Sequence, residues 1–505
     1  MCAWLKQSVP TYASWYRSGN VLFNTLSYLV FLIVIVSAYW VLPRGWRVWL
    51  VLGASLLFYA LWRWEFVFLI SFSAFVDYFF SLRIYASTNT RRRRWLMIAS
   101  VSINLGLLLY FKYTYFILDN FARAGAIAGQ DWRLDPGIIV LPLGISFYTF
   151  LSISYTIDVY RRLFEPVRHF PAYLAYVLFW PHMIAGPILR AHELLPQLLR
   201  ARKLRVGDIA EGIRMILFGL FLKVVLADNI APLADAAFAT EPAKLAALDV
   251  WTMAFTFGLQ IYFDFAGYSM IAVGSARLLG VWFPENFNWP YLATSPREFW
   301  KRWHITLSSW IRDYLYLPLT GKAFRDRSEG GLEVQFAQDS GARAMTAALF
   351  LTWFVMGLWH GASWNFAFWG LWHAAIIYAY RLVSRVALPL PSRAVSVIGW
   401  SATLVFSMLG WIWFRAGSLS VAIELYARLF DFGSYGKLNF RENFYLVTAL
   451  LLVAMLVARW VSATWIRLRE GRSWAAVAEV PVYAVAFMLV FIFLRPINQF
   501  IYFQF

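Results

Sequence analysis

The chain has 505 residues, 61% of them hydrophobic and 14% charged, with a single cysteine, Cys2. Average globular chains are about 45–50% apolar and about 25% charged, so a soluble multidomain enzyme, a disordered chain, a disulfide scaffold and a Cys-based metal cluster are all excluded. At roughly 20 apolar residues per bilayer crossing, the composition caps the spans near about fifteen, and the formal charge of +18 reads as membrane orientation rather than nucleic-acid binding, because Lys and Arg gather in cytoplasmic loops.

Residues 1–20 lack a basic start leading into a short apolar core and a small-residue cleavage site, so no removable signal peptide is expected. Apolar stretches follow near 22–42, 48–62, 66–82, 95–118 and 137–159. The connections 43–47, 83–94, 161–171 and 190–205 hold 2, 5, 3 and 5 basic residues, whereas 119–136 and 227–249 hold three between them against seven Asp plus Glu. One topology satisfies both sets, with the first group cytoplasmic and the run Arg91 to Arg94 an orientation signal. The stretch 172–189 contains Phe179-Trp180-Pro181-His182 and Gly186-Pro187. Two prolines in so short a span indicate a broken or re-entrant element, tolerated only where protein or a water-filled cavity shields the backbone.

Further apolar stretches lie near 211–227, 250–274, 344–360, 364–380, 394–414, 444–461 and 475–494. The expectation is an all-α polytopic membrane protein with about eleven crossings plus re-entrant and interfacial helices, forming one domain over 1–505. The long interruption at about 284–343 opens with Ser295-Pro296-Arg297-Glu298, a helix start with a capping box. At 100° per residue Phe299, Trp300, Trp303, Leu307, Trp310 and Tyr314 share one stripe, with Lys301 and Arg312 opposite, so an interfacial helix is expected with His304 at the stripe's edge. Residues 320–342, polar and of mixed charge, read as a mobile loop.

Six histidines are present. His169 and His192 fall in basic loops and His182 in the broken segment, which leaves His304, His360 and His373 for chemistry. His360 ends one apolar span in Gly357-Leu358-Trp359-His360-Gly361 and precedes a break in the chain. Ionisable side chains at membrane depth are costly and face a cavity or a partner, which makes them functional candidates. Burial disfavours imidazolium, and a neutral imidazole is the form a general base requires. Asp264 and Asp158 are intramembrane acids expected to pair with Arg or Tyr. No metal site is indicated, because the three histidines sit on separate elements without ligand spacing, and no Gly-rich phosphate loop, HExxH helix or paired-carboxylate motif occurs.

The segments LPLGISFYTFLSISYTIDVYR (141–161), FWPHMIAGPILR (179–190), QIYFDFAGYS (260–269), PENFNWPYLATSPREFWKRWHITLSSWIRDYLYLPL (284–319) and GLWHGASWNFAFWGLWH (357–373) closely resemble the membrane-bound O-acyltransferase family. The likeness is to its bacterial branch, with alginate O-acetyltransferase membrane subunits and teichoic-acid D-alanyl transferases. The resemblance implies a ring of helices around a central funnel, with an activated acyl group entering from the cytoplasm and the acceptor meeting it from the other side. It matches the family's catalytic histidine to His360 and its second histidine to His304, with His373 at a recurring position. Trp303, Trp359, Asn365, His373 and Asp264 are expected along the substrate funnel. Two positions depart from the family pattern: Met270 follows Gly267-Tyr268-Ser269, and Leu319 continues into Thr320-Gly321-Lys322.

The resulting expectation is a multi-pass enzyme of the bacterial cytoplasmic (inner) membrane. It would move an acyl group, acetyl first, from a thioester (acetyl-CoA or an acyl carrier) to a hydroxyl of an envelope polysaccharide, with no bound cofactor. His360 would deprotonate the hydroxyl, and His304, Asn365 or an indole N–H would stabilise the oxyanion. The resemblance implies a periplasmic, esterase-like acetyltransferase as partner and no nucleic acid. D-alanyl transfer from a carrier protein is the alternative within the class. A transporter of polymer or acyl donor is the alternative outside it, although the repeated halves with paired broken helices common in transporters are not seen, and a structural assembly subunit is the third.

Overall fold

The computed structural model describes residues 23–494 apart from 185, 201, 328–330, 337–341, 387–388 and 471–473. Cys2 and residues 1–20, where no signal peptide is expected, lie outside the described residues. The chain sorts into two compact units, residues 1–213 with 272–283 and 324–335, and residues 214–271 with 284–323 and 336–505.

In the first unit the apolar stretches become helices α1 (Leu26–Val41), α2 (Arg47–Arg63), α3 (Glu65–Ala86) and α4 (Thr90–Leu108). A π-turn at Leu109–Tyr113 leads from α4 into α5 (Thr114–Ile127). Asn89 caps α4 by accepting from the Arg92 N–H, so the Arg91–Arg94 run occupies a first helical turn beside the short α3–α4 link. α6 (Ile145–Tyr160) starts at Gly144, whose φ is +70°. A Cβ there would stand 2.5 Å from the Met183 carbonyl, so both backbone hand and close approach require glycine.

The broken segment is α7 (Phe170–Leu178), a single turn α8 (Trp180–Met183) and α9 (Ala191–Leu199). At 1.5 Å per residue α7 is about 13 Å long, well short of a hydrocarbon core of about 30 Å. The expected broken segment is therefore present, as helices each too short to cross alone. Its surroundings are almost wholly buried, Tyr173, Tyr176 and Trp180 among them. α10 (Val206–Leu220) follows.

In the second unit a π-turn (Phe221–Ala227) leads to α11 (Asp228–Ala239), then the long α12 (Ala247–Leu278), which ends in the first unit. Within 296–319 the expected continuous helix is interrupted. α13 (Pro296–Arg302) and α14 (Ile305–Ile311) are separated at Trp303-His304, and a π-turn (Arg312–Tyr316) precedes the short α15 (Leu317–Leu319). Ser295 caps α13 as expected, accepting from the Glu298 N–H, but the Glu298 carboxylate takes the Thr294 N–H and hydroxyl rather than closing a box on Ser295. The stripe residues Phe299, Trp300, Trp303, Leu307 and Trp310 are buried in protein, so the aromatic side is a packing face.

Residues 320–342, expected as a mobile loop, include strands β1 (Lys322–Arg327) and β2 (Gly331–Phe336), paired as a two-stranded sheet. The helices α16 (Ala342–His360), α17 (Trp364–Val383), α18 (Ser392–Arg415), α19 (Leu419–Arg428), α20 (Glu442–Arg469) and α21 (Trp474–Phe493) complete the chain. The fold is helical, with this hairpin as its departure. Among the described residues five helices are long and apolar enough to cross a bilayer: Arg44–Arg63, Glu65–Ala86, Thr90–Ile127, Ser392–Arg415 and Glu442–Arg469, with Leu26–Val41 and Val477–Phe493 shorter and apolar. This is a multi-pass membrane protein, without a fixed count of eleven spans.

Candidate active site

His360 is the last residue of α16, and the chain turns at Gly361 before α17. The turn needs glycine, because a Cβ at 361 would enter the Phe366 ring. α16 and α17 cross at Gly357 and Gly370, where a Cβ on either would run into the partner helix backbone. This crossing sets the His360 imidazole among aromatic rings, with centroids 4.8 Å from Trp359, 4.8 Å from Trp369 and 5.4 Å from Phe414.

Trp369 joins two of the histidines, since its other neighbour is His373, one helical turn on, with ring centroids 4.9 Å apart. His373 also meets Trp300 edge-on at 5.0 Å and Trp353 at 5.6 Å. The indole N–H groups of Trp369 and Trp300 are buried without a hydrogen-bond acceptor. Buried donors are normally satisfied, so two unspent N–H groups beside two imidazoles mark the place where an acceptor oxygen is wanted.

His304 occupies the break between α13 and α14 in left-handed backbone, φ +41°. A non-glycine residue in this region costs of order 1–3 kcal/mol and persists only where its surroundings enforce it. The segment 286–288 does so: Asn288 N–H donates to the Arg302 carbonyl and Ile305 N–H to the Asn286 carbonyl, both at 2.9 Å. The Asn286 side chain then fixes the imidazole. Its Oδ1 accepts from the Thr306 N–H at 3.3 Å and hydroxyl at 2.9 Å, and lies 3.0 Å from His304 Nδ1. A backbone N–H can only donate, so the amide orientation is determined, and Nδ1 must carry the proton. Nε2 is left as an acceptor, buried and without a partner. Phe265 packs edge-on at 4.7 Å. His304 has no exposed surface, whereas His360 keeps 5%.

The two histidines are joined through rings rather than by direct contact. Phe287 lies 6.3 Å from His304 and 5.1 Å from Trp303, Trp303 lies 5.0 Å from Trp411, and Trp411 lies 6.1 Å from Trp369. Trp303 is thus in the middle of the band and Trp359 at its His360 end. The indole of Trp411 is spent on the Tyr291 hydroxyl at 3.1 Å. Asn365, expected along the funnel, donates Nδ2 to the Ala416 carbonyl at 2.8 Å and ties α17 to the end of α18.

Asp264 has Lys223 as an ion-pair partner, where the sequence pointed to Arg or Tyr. The Lys223 ammonium lies 2.6 Å from Asp264 and 2.7 Å from Asp228 and is 1% exposed. Lys223 stands in the π-turn after α10, and such turns recur at functional positions. His192 Nδ1 lies 3.9 Å from the Asp158 carboxylate. Asn286, Trp369, Trp300 and Lys223 are site residues that the sequence did not single out. The spacing in Trp-x3-His that sets Trp369 against His373 was a readable signal for one of them.

Together these features define a helical membrane protein whose buried imidazoles stand beside unspent indole donors, with no group of three metal-ligating side chains among the described residues. A family model described as MBOAT, membrane-bound O-acyltransferase family, matches residues 137–332. The chain is 38% identical over 435 residues to "Probable alginate O-acetylase AlgI" of Azotobacter vinelandii, covering 85% of this chain and 82% of that one. It is 33% identical over 441 residues to the "Peptidoglycan O-acetyltransferase" of Helicobacter pylori, covering 80% and 79%. To the "Teichoic acid D-alanyltransferase" of Bacillus subtilis it is 28% identical over 254 residues, covering 50% and 61%. The chain belongs to the membrane-bound O-acyltransferase family and is an acyltransferase.

Proposed function

We propose that this protein transfers an acetyl group from a cytoplasmic thioester, acetyl-CoA or an acyl carrier, to a hydroxyl of an envelope polysaccharide, with His360 as general base. The observation that carries the reading is the setting of His360: an imidazole at a helix end, walled by Trp359, Trp369 and Phe414, one ring away from a second histidine. The choice of acetyl follows from similarity, because the two O-acetylating relatives match over four fifths of the chain and the D-alanyl relative over half.

The steps balance without a cofactor. His360 takes the hydroxyl proton as the oxygen attacks the thioester carbonyl. The tetrahedral oxyanion is held by the Trp369 indole N–H, with Trp300 N–H as second donor. Collapse breaks the C–S bond, and the leaving thiolate takes the proton back from imidazolium. His304 acts differently from an oxyanion donor, since its Nε2 has no proton to give. It accepts a hydrogen bond from a second hydroxyl of the acceptor and so holds the attacking oxygen in line. The acceptor hydroxyl belongs to the glycan or to a periplasmic relay protein of the esterase type, and the enzyme sits in the bacterial cytoplasmic membrane.

General-base catalysis is worth about 10²–10⁴ in rate, so His360→Ala should lower acetyl transfer by that factor while expression and thermal stability hold. The measurement is mass spectrometry of glycan esters from cells carrying either form. Unchanged ester content in the variant overturns the base assignment. D-alanyl esters in place of acetyl esters overturn the cargo and leave the base.

A further inference from the structure

We propose that the first unit holds a monovalent cation site, built around Asp77 and occupied by Na+. Asp77 lies in the middle of α3 and is fully buried, as are Ser100, Ser152 and Tyr173, with Asn104 1% exposed. Ser100 Oγ and Asn104 Nδ2 both donate to Asp77 Oδ1, each at 2.7 Å. The Asn104 amide is not free to turn over, because Nδ2 also donates to the Ser100 carbonyl at 3.0 Å and Oδ1 accepts from Ser73 Oγ at 2.7 Å. Thr156 Oγ1 completes this side, 3.2 Å from Ser100 Oγ.

The other side is different. Asp77 Oδ2, Ser152 Oγ and Tyr173 OH make no well-formed hydrogen bond, although the Ser152 hydroxyl on α6 stands within reach of both the Asp77 carboxylate and the Tyr173 phenol on α7. Among the described residues no Lys, Arg or His pairs with Asp77. The other titratable groups near the cluster are the phenols of Tyr78, Tyr155 and Tyr176. Two neutral donors on one carboxylate oxygen favour the ionised acid, yet an isolated buried carboxylate is too costly to persist without a compensating charge. Three oxygens with lone pairs to give, one of them anionic, are of the ligand type a hard cation takes. A single negative charge among otherwise neutral groups matches a single positive one. The site involves none of the histidines and stands independently of the acyl-transfer reading.

The test is thermal melting of the purified full-length protein in detergent, in sodium chloride and in choline chloride at equal ionic strength. A ligand bound only by the folded state raises the midpoint with its concentration. Wild type should melt about 3 °C or more higher in sodium. Asp77→Asn, which keeps the shape and removes the charge, should lose the sodium response and melt in choline at least as high as wild type. If Asp77→Asn does not fold, Ser152→Ala should raise the sodium concentration for half-maximal shift about tenfold. Equal wild-type midpoints in the two salts between about pH 6 and pH 9 overturn the proposal and leave Asp77 a neutral acid. A sodium response that survives in Asp77→Asn, or that Ser152→Ala leaves unaltered, overturns the site.

Discussion

At the scale of single residues, the informative atom is Asn286 Oδ1. It alone decides which His304 nitrogen carries the proton, because it is itself fixed by the Thr306 N–H. Leaving a buried donor unsatisfied costs about 1–3 kcal/mol. Asn286→Ala, which leaves His304 Nδ1–H without an acceptor and frees the ring to turn, should therefore lower kcat/KM for acyl transfer roughly 10- to 100-fold. Asn286→Asp, which keeps the accepting oxygen, should recover part of the loss. Equal activity in Asn286→Ala and wild type would remove His304 from the reaction. His360 was readable from its Trp-His-Gly setting at the end of an apolar span. His304 was readable as a residue but not as a geometry. Its left-handed backbone is enforced by residues 286–288, a tertiary constraint that periodicity along 296–314 does not contain. The Asp264 partner was missed for a related reason. Lys223 lies inside an apolar run read as a plain span, and only the π-turn brings its ammonium to the two carboxylates.

At the scale of elements, the α16–α17 hairpin is what places His360 and His373 on either side of Trp369. Its close crossing rests on Gly357 and Gly370. A Cβ at Gly370 would meet the Trp353 carbonyl, and 3.2 Å away the Gly357 Cα. Overpacking of this kind costs typically 1–3 kcal/mol. Gly370→Ala should accordingly lower the melting midpoint and, by spreading the helices, lower activity as well. The contrasting variant is Gly53→Ala in α2, where an added methyl meets nothing within 4 Å. It should be neutral or more stable by about 0.4–1 kcal/mol, through the unfolded chain. If both variants melt alike, the crossing is not what holds the site. The two helices were legible from their apolar runs and the intervening glycine, whereas the glycine contact between them was not, since Gly357 and Gly370 carry no signal without the packing. The strands at 322–336 were legible only in part, since Leu332, Val334 and Phe336 alternate with Glu333 and Gln335 in β2 whereas Lys322–Arg327 in β1 carries no such pattern.

At the scale of the whole molecule, charge and helix order agree on an orientation. The α1–α2 and α6–α7 links and the helix ends flanking the short α3–α4 link (Arg83, Arg91–Arg94) carry the basic residues, and the intervening α2–α3 and α5–α6 links are a single residue and the sparsely basic segment 128–144. Alternation of this sort is what repeated crossings of a bilayer produce, and the basic links then face the cytoplasm. The broken segment adds a stronger demand. Its flanks at 161–169 and 200–205 are both basic, and a helix as short as α7 does not reach across alone, so the expectation is that the chain enters and leaves on one side. The single native cysteine makes this measurable. In a Cys2→Ser background, Gln130→Cys should react with a membrane-impermeant maleimide on intact spheroplasts. Asn89→Cys, Glu165→Cys and Lys203→Cys should react only after permeabilisation, all four positions being exposed. Labelling of Glu165→Cys and Lys203→Cys from opposite sides would make the broken segment a full crossing and invert the remainder of the chain, which would move the cytoplasmic entrance assigned to the acyl donor to the other face of the membrane.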